Sequence, residues 1–170
     1  EGWLREDGDF GKAEELSTIA QSVFQSFNKR FWNEDQGYLF DVVDGEDGRD
    51  DPACRPNQVF SISLAHPVLS QSRWASVMQA VEAKLLTPVG LRSLDASHPD
   101  YKAIYYGNLR TRDAAYHQST VWAWLIGPFI DAWVKTFAEQ TAKAEGFLKG
   151  IVEHLGDAGL GNISEVFDAE

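Results

Sequence analysis

The chain has 170 residues, 44% of them hydrophobic, with a formal net charge of −11. That length allows one domain with a real core. Such acidity argues against nucleic acid and against anionic membrane surfaces, both of which select basic faces. A neutral polysaccharide is indifferent to the sign.

In chain order, residues 13–32 place Ala13, Leu16, Ala20, Val23, Phe24, Phe27 and Phe31 at helical spacing, with Gln21, Gln25 and Lys29 opposite. This predicts an amphipathic helix. Residues 33–51 are rich in Gly and Asp and read as a loop around a short extended piece, Tyr38-Leu39-Phe40-Asp41. Pro56 suits a first helical turn, and that helix runs through Val59, Phe60, Ile62, Ser63 and Leu64 to His66-Pro67. A third helix starts near Ser70, buries Trp74, Val77, Met78, Val81 and Leu85, and stops at Thr87-Pro88.

Residues 87–112 carry little periodicity and read as a long linker that is functional rather than disordered, given Tyr101, Tyr105 and Tyr106. A fourth helix over 118–137 is apolar almost all round, which predicts central burial, and Gly127-Pro128 predicts a kink in it. On such a helix Trp122 shares a face with Gln118, placing Trp122 at a site and Trp124 in the core. A fifth helix covers 141–155, and 156–170 reads as Gly-rich loop. The expectation is an all-α chain and a single helical domain over 1–170.

Cys54 is the only cysteine, so no disulfide forms within the chain; this fits a cytoplasmic location and an inert thiol. No apolar run approaches the roughly 20 residues that span a bilayer. Glu1-Gly2-Trp3-Leu4-Arg5 lacks the basic end and apolar core of a signal peptide. The two ends together read as those of a piece of a longer chain. His66, His98, His117 and His154 show no metal-ligand spacing, and neither metal nor cofactor is expected.

The stretch from Arg112 to Trp124 joins a charge pair, a Tyr116-His117-Gln118 cluster and two tryptophans. Sugars are bound by this mixture: aromatic faces stack on C–H groups while amide, imidazole and carboxylate groups take the hydroxyls. Asp113 reads either as an ion-pair partner or helix cap, or as a grip on sugar hydroxyls. His117 reads as a satisfied histidine at a helix start or as a donor to a hydroxyl. Arg55, Asn57 and Gln58 form a loop clamp, or Asn57 and Gln58 meet sugar while Arg55 orients a carboxylate. Tyr105 and Tyr106 stack on outer sugars or pin the loop. Glu165 sits between Ile163 and Val166-Phe167, where a carboxylate is expected in an apolar setting; it reads as a helix cap or as an acid–base group.

Four blocks carry a resemblance: Arg55-Pro56-Asn57-Gln58, Leu86-Thr87-Pro88-Val89-Gly90-Leu91-Arg92-Ser93-Leu94, the Arg112–Trp124 stretch, and Gly161-Asn162-Ile163-Ser164-Glu165-Val166-Phe167-Asp168. In that order, over roughly residues 31–168, the chain resembles the C-terminal part of glycogen debranching enzymes, the amylo-α-1,6-glucosidase domain of bacterial and archaeal type. The resemblance implies about half of an (α/α)6 toroid. It implies a glycoside hydrolase that removes the α-1,6-linked glucose at trimmed branches of glycogen or limit dextrin, with inversion.

It also makes Glu165 the general base, with Asp168 the runner-up or an orienting neighbour; the substrate contacts expected from the residues themselves are Arg55, Asn57, Gln58, Tyr105, Asp113, Tyr116, His117, Gln118 and Trp122. The family's upstream Thr-Trp-Met-Asp-type motif, which bears the general acid, has no counterpart here. The isolated chain is therefore expected to be inactive, to depend on the rest of its parent, and to self-associate through an uncovered apolar face. Where the family has His-Gln-Gly-Thr-Val-Trp-Pro-Trp, this chain has Ser119 and Ala123. The rival readings are another α/α-toroid glycosidase, and a non-catalytic helical module that binds carbohydrate or protein.

Overall fold

A computed structural model describes residues 2–157 and 159–170. Glu1, in the expected signal-free start, and Ala158, in the expected Gly-rich loop over 156–170, lie outside the described residues.

Helix α1 (Gly2–Glu6) leads into α2 (Phe10–Arg30), whose first turn is capped by the Asp9 carboxylate accepting from the Lys12 N–H. The amphipathic helix is thus present, but its apolar face is only partly used. Ala13 is buried and Phe27 and Phe31 pack on the core, while Phe10, Leu16, Ile19 and Val23 remain exposed. Strand β1 (Trp32–Asn33) pairs antiparallel with β2 (Tyr38–Leu39), through a turn at Gly37 with φ +70°.

A 3-10 turn (Pro56–Val59) continues into α3 (Phe60–Ser63), which ends earlier than expected as Leu64 turns extended. Helix α4 (Trp74–Lys84) buries Val77, Met78 and Val81 completely, with Leu85 just beyond it. The core gathers between α3, α4 and α6 (Ile126–Thr136), around Ile62, Leu69, Phe129 and Trp133. Helices α7 (Thr141–Gly146) and α8 (Lys149–His154) divide the expected fifth helix at Phe147 and Leu148.

The all-α expectation fails in the middle and at the end of the chain; the fold is helical with two small sheets. Strands β3 (Leu86–Thr87) and β4 (Gly90–Arg92) form a hairpin. Strand β4 also pairs with β5 (Val121–Trp122), and β5 pairs with β6 (Val166–Phe167), all antiparallel. The linker over 87–112 therefore holds a strand hairpin, and its end belongs to helix α5 (Leu109–Tyr116), capped by Asn108.

The expected fourth helix begins only at Ile126, after β5 and a 3-10 turn (Ala123–Leu125). Two backbone facts explain the shift. Ser119 has φ +135°, which no helix admits. Gly90, at φ +149°, lets the Trp122 carbonyl come so close that a Cβ would lie 2.6 Å from its oxygen. Pro128 consequently falls in the first turn of α6, where its missing N–H breaks no helical bond, so the kink is not needed.

Candidate functional site

The Arg112–Trp124 stretch is brought together as an aromatic block, though not as one helix. Tyr116 ends α5, and the turn over 117–120 delivers Trp122 into β5. Trp122 therefore does not share a helical face with Gln118. Its indole lies parallel to the His117 imidazole, 5.5 Å between centroids at 7°, and donates from Nε1 to the Tyr116 carbonyl at 3.3 Å. The Tyr116 ring stands 4.7 Å from Trp122, 4.9 Å from His117 and 5.6 Å from Tyr105. Trp124 is corrected more strongly: it is 58% exposed and stacks on Phe60 at 6.0 Å, because it leaves the 3-10 turn on the outer side.

The Glu165 backbone lies beside this block, through the pairing of Val166 with Trp122. Desolvation first, then the charge of Glu165, then Tyr105 push the Tyr116 phenol above its ordinary value, so it stays a protonated donor. Glu165 itself is exposed, without the apolar setting expected for it, although Ser164, Val166 and Phe167 around it are half-buried. Its backbone is held by the β5–β6 pairing and by the Ala123 N–H, which reaches the Glu165 carbonyl at 3.4 Å. A proline at 123 has no N–H for that bond. The Asp168 carboxylate accepts from the Tyr105 N–H at 2.6 Å and so fastens the tyrosine loop to the same sheet edge.

Arg55, Asn57 and Gln58 form a second centre. The Arg55 guanidinium donates from Nη1 to the Ser93 and His117 carbonyls at 3.0 and 2.6 Å, and from Nη2 to Gln118 Oε1 at 2.9 Å. Its Nε lies 3.4 Å from Asp41 Oδ2, and Asn57 Nδ2 donates to Asp41 Oδ1 at 3.1 Å. Gln58 is buried, with its amide bonded to the Leu39 N–H, the Arg55 carbonyl and Cys54 Sγ. Together with Phe27, Phe31, Phe40 and Phe60, these residues line a cavity of about 270 Å³. Through His117 and Gln118, the Arg55 fork joins this cavity to the aromatic block.

The surrounding polar groups are structural. Burial pushes the Cys54 thiol up to about 12, so it carries no thiolate near neutrality. Lys84 meets Asp95 at 2.5 Å. Asp113 and Arg112 are both exposed on α5 and form no ion pair with each other. The sequence does not mark Asp41, because its partners Arg55 and Asn57 lie in another segment and nothing in their spacing announces the contact. The sequence offers His154 no role beyond the excluded one of metal ligand, whereas its Nε2 lies 3.0 Å from the hydroxyl of Ser164, the neighbour of Glu165. Among the described residues no group of three or more His, Cys, Asp or Glu could hold a metal ion, and no helix is long and apolar enough to cross a membrane.

Residues 3–170 match the family Amylo-alpha-1,6-glucosidase. The chain belongs to that family. A relative is the glycogen debranching enzyme of Saccharomyces cerevisiae, 29% identical over 89 residues. That alignment covers 49% of this chain and 6% of the yeast protein's length. Family membership supports a glycoside hydrolase parent, and the site residues acquire a chemistry to be tested against it.

Proposed function

We propose that the chain is the C-terminal segment of a glycogen debranching enzyme of bacterial or archaeal type, and that its parent hydrolyses α-1,6-glucosidic branch points of glycogen or limit dextrin in the cytoplasm. In this reading residues 1–170 form about half of an (α/α)6 toroid, and the remainder of the parent covers the exposed apolar face of α2. The general acid then comes from outside these residues, and the isolated chain is inactive and self-associating.

The observation that carries the reading is the meeting of an acid with a sugar-type surface. The Glu165 backbone runs beside Trp122 and Ala123, and its charge raises the phenol of Tyr116, whose ring packs on His117, Trp122 and Tyr105. Glu165 is assigned as general base. It takes a proton from the water that attacks the anomeric carbon, on the face opposite the leaving oxygen. Inversion needs the two carboxyl groups about 6.5–9.5 Å apart, which leaves room for that water. Tyr105, Tyr116 and Trp122 bind sugar faces, while His117, Gln118, Asn57 and Asp113 take hydroxyls; Gln58, whose amide is bonded within the protein, lines the cavity wall, and Arg55 fixes the corner between them.

The test is Glu165→Gln in the parent protein, assayed by glucose release from limit dextrin. The amide keeps the shape and loses the base, so kcat should fall by roughly 10² or more with KM little changed. Near-normal kcat would end the assignment. First-formed α-glucose, seen by NMR before mutarotation, would exclude inversion.

A further inference from the structure

We propose that His154 is a positioning residue for Glu165; the inference rests on the base assignment above. No hydrogen bond or ion pair among the described residues holds the Glu165 carboxylate, so its direction is set by the backbone over 164–166. On the far side that backbone is fixed by the pairing of Val166 with Trp122. On the near side it is preceded by Gly159, Leu160 and Gly161, all at positive φ. The tie that closes this side on Glu165 comes from His154.

Nε2 of His154 lies 3.0 Å from Ser164 Oγ and 3.4 Å from the Ser164 N. A backbone N–H can only donate, so Nε2 accepts, the Ser164 hydroxyl donates as well, and the ring proton sits on Nδ1, facing Asp157 Oδ2 at 3.6 Å. The same ring meets Phe167 edge-on, with centroids 4.7 Å apart at 76°. One imidazole therefore grips the residue before Glu165 and the residue two after it. The ring is itself fixed: it ends α8, and α8 lies so close under Pro88 that only a glycine fits at 150.

A general base must stand within hydrogen-bond reach of the water it deprotonates, and a misplacement of about 1 Å can cost on the order of 10²-fold in rate. Binding of sugar by the aromatic block does not require that alignment. His154 thus acts on kcat and leaves KM alone.

The experiment uses the parent protein. His154→Phe keeps the ring edge on Phe167 and removes the acceptor; it should lower kcat on the order of 10-fold with KM within about twofold. His154→Gln returns an acceptor and should recover most of that loss. In a Glu165→Gln background His154→Phe should change kcat no further, since the group it positions is gone. Should His154→Phe fail to fold, Ser164→Ala, which deletes only the hydroxyl, should lower kcat in the same direction by less. Wild-type kcat in both His154→Phe and Ser164→Ala overturns the proposal, as do equal fold-losses in the two backgrounds or a loss confined to KM. Wild-type kcat in Glu165→Gln alone would instead overturn the base assignment, and this inference with it.

Discussion

The Arg55 corner and the Glu165 edge differ in how they are held. At the corner one guanidinium ties Asp41, Ser93, His117 and Gln118, four points from three separate segments besides its own, and its side chain is 18% exposed. At the edge an exposed carboxylate rides on a two-residue strand, on one bond from Ala123 and on the His154 ring, none of which touches the carboxylate itself. The corner couples positioning to stability, whereas the edge separates them. A residue whose contacts are spent on other protein groups cannot be altered without loosening the fold; a carboxylate left free for chemistry can.

The sharpest break in that comparison is Arg55→Ala. It leaves the Asp41 carboxylate with Asn57 alone and strands three acceptors, and removing one partner of a largely buried pair costs about 3 kcal/mol or more. Chemical denaturation should show that loss, while Glu165→Gln should stay within about 0.5 kcal/mol of wild type, as exposed sites do. Equal losses would show that the corner is not the stiffer region.

Trp122 belongs to both regions, through His117 and through Val166. Trp122→Ala should cost about 2 kcal/mol, less than a fully buried tryptophan, and weaken sugar binding in the parent. Trp124→Ala should cost under about 1 kcal/mol, the worth of one exposed stack on Phe60. Melting temperatures in the reverse order would contradict the outward placement of Trp124.

Ser119 tests the turn between the two regions. It is fully buried at φ +135°, and its hydroxyl donates to the Lys102 carbonyl. Ser119→Ala and Ser119→Gly both delete the hydroxyl, but only glycine is at ease in that backbone region. The glycine variant should be more stable than the alanine variant by about 1 kcal/mol. Equal stabilities would mean that the turn relaxes without strain.

The smallest expected effect comes from the Lys84–Asp95 pair behind the corner, where the Asp95 N–H also reaches the Cys54 carbonyl. The hydrogen bond that Lys84 donates to the Asp95 carboxylate raises the Lys84 ammonium above 10.5. Burial opposes ionisation of Asp95, yet bonds from Lys84 and Ser97 hold its carboxyl below 3.8. A depressed carboxyl stabilises the fold above its unfolded value and loses that contribution as pH falls through the folded one. A raised ammonium stabilises below its unfolded value and loses that contribution as pH rises through the folded one. The stability difference between wild type and Asp95→Asn should be under about 1 kcal/mol, flat between the two limits and shrinking beyond each. A difference that grows in acid would have the wrong sign for this pair.

The sequence by itself determined the elements whose evidence is local. The 3.6-residue spacing of Val77, Met78, Val81 and Leu85 marks α4, and the extended Tyr38-Leu39 becomes a strand. The four blocks identify the family, and they contain most of the residues that meet at the aromatic block. What only the tertiary structure decided is where apolar character ceases to discriminate. Val121-Trp122 is apolar on every side, so periodicity cannot separate a strand from a buried helix. The choice falls to partners distant in sequence, Leu91 and Arg92 on one side, Val166 and Phe167 on the other. That choice turned Trp122 onto His117 and Trp124 outward. The Asp41–Arg55 and His154–Ser164 contacts are hidden for the same physical reason: a side-chain hydrogen bond between segments depends on where the backbones run, and spacing along the chain carries no record of it.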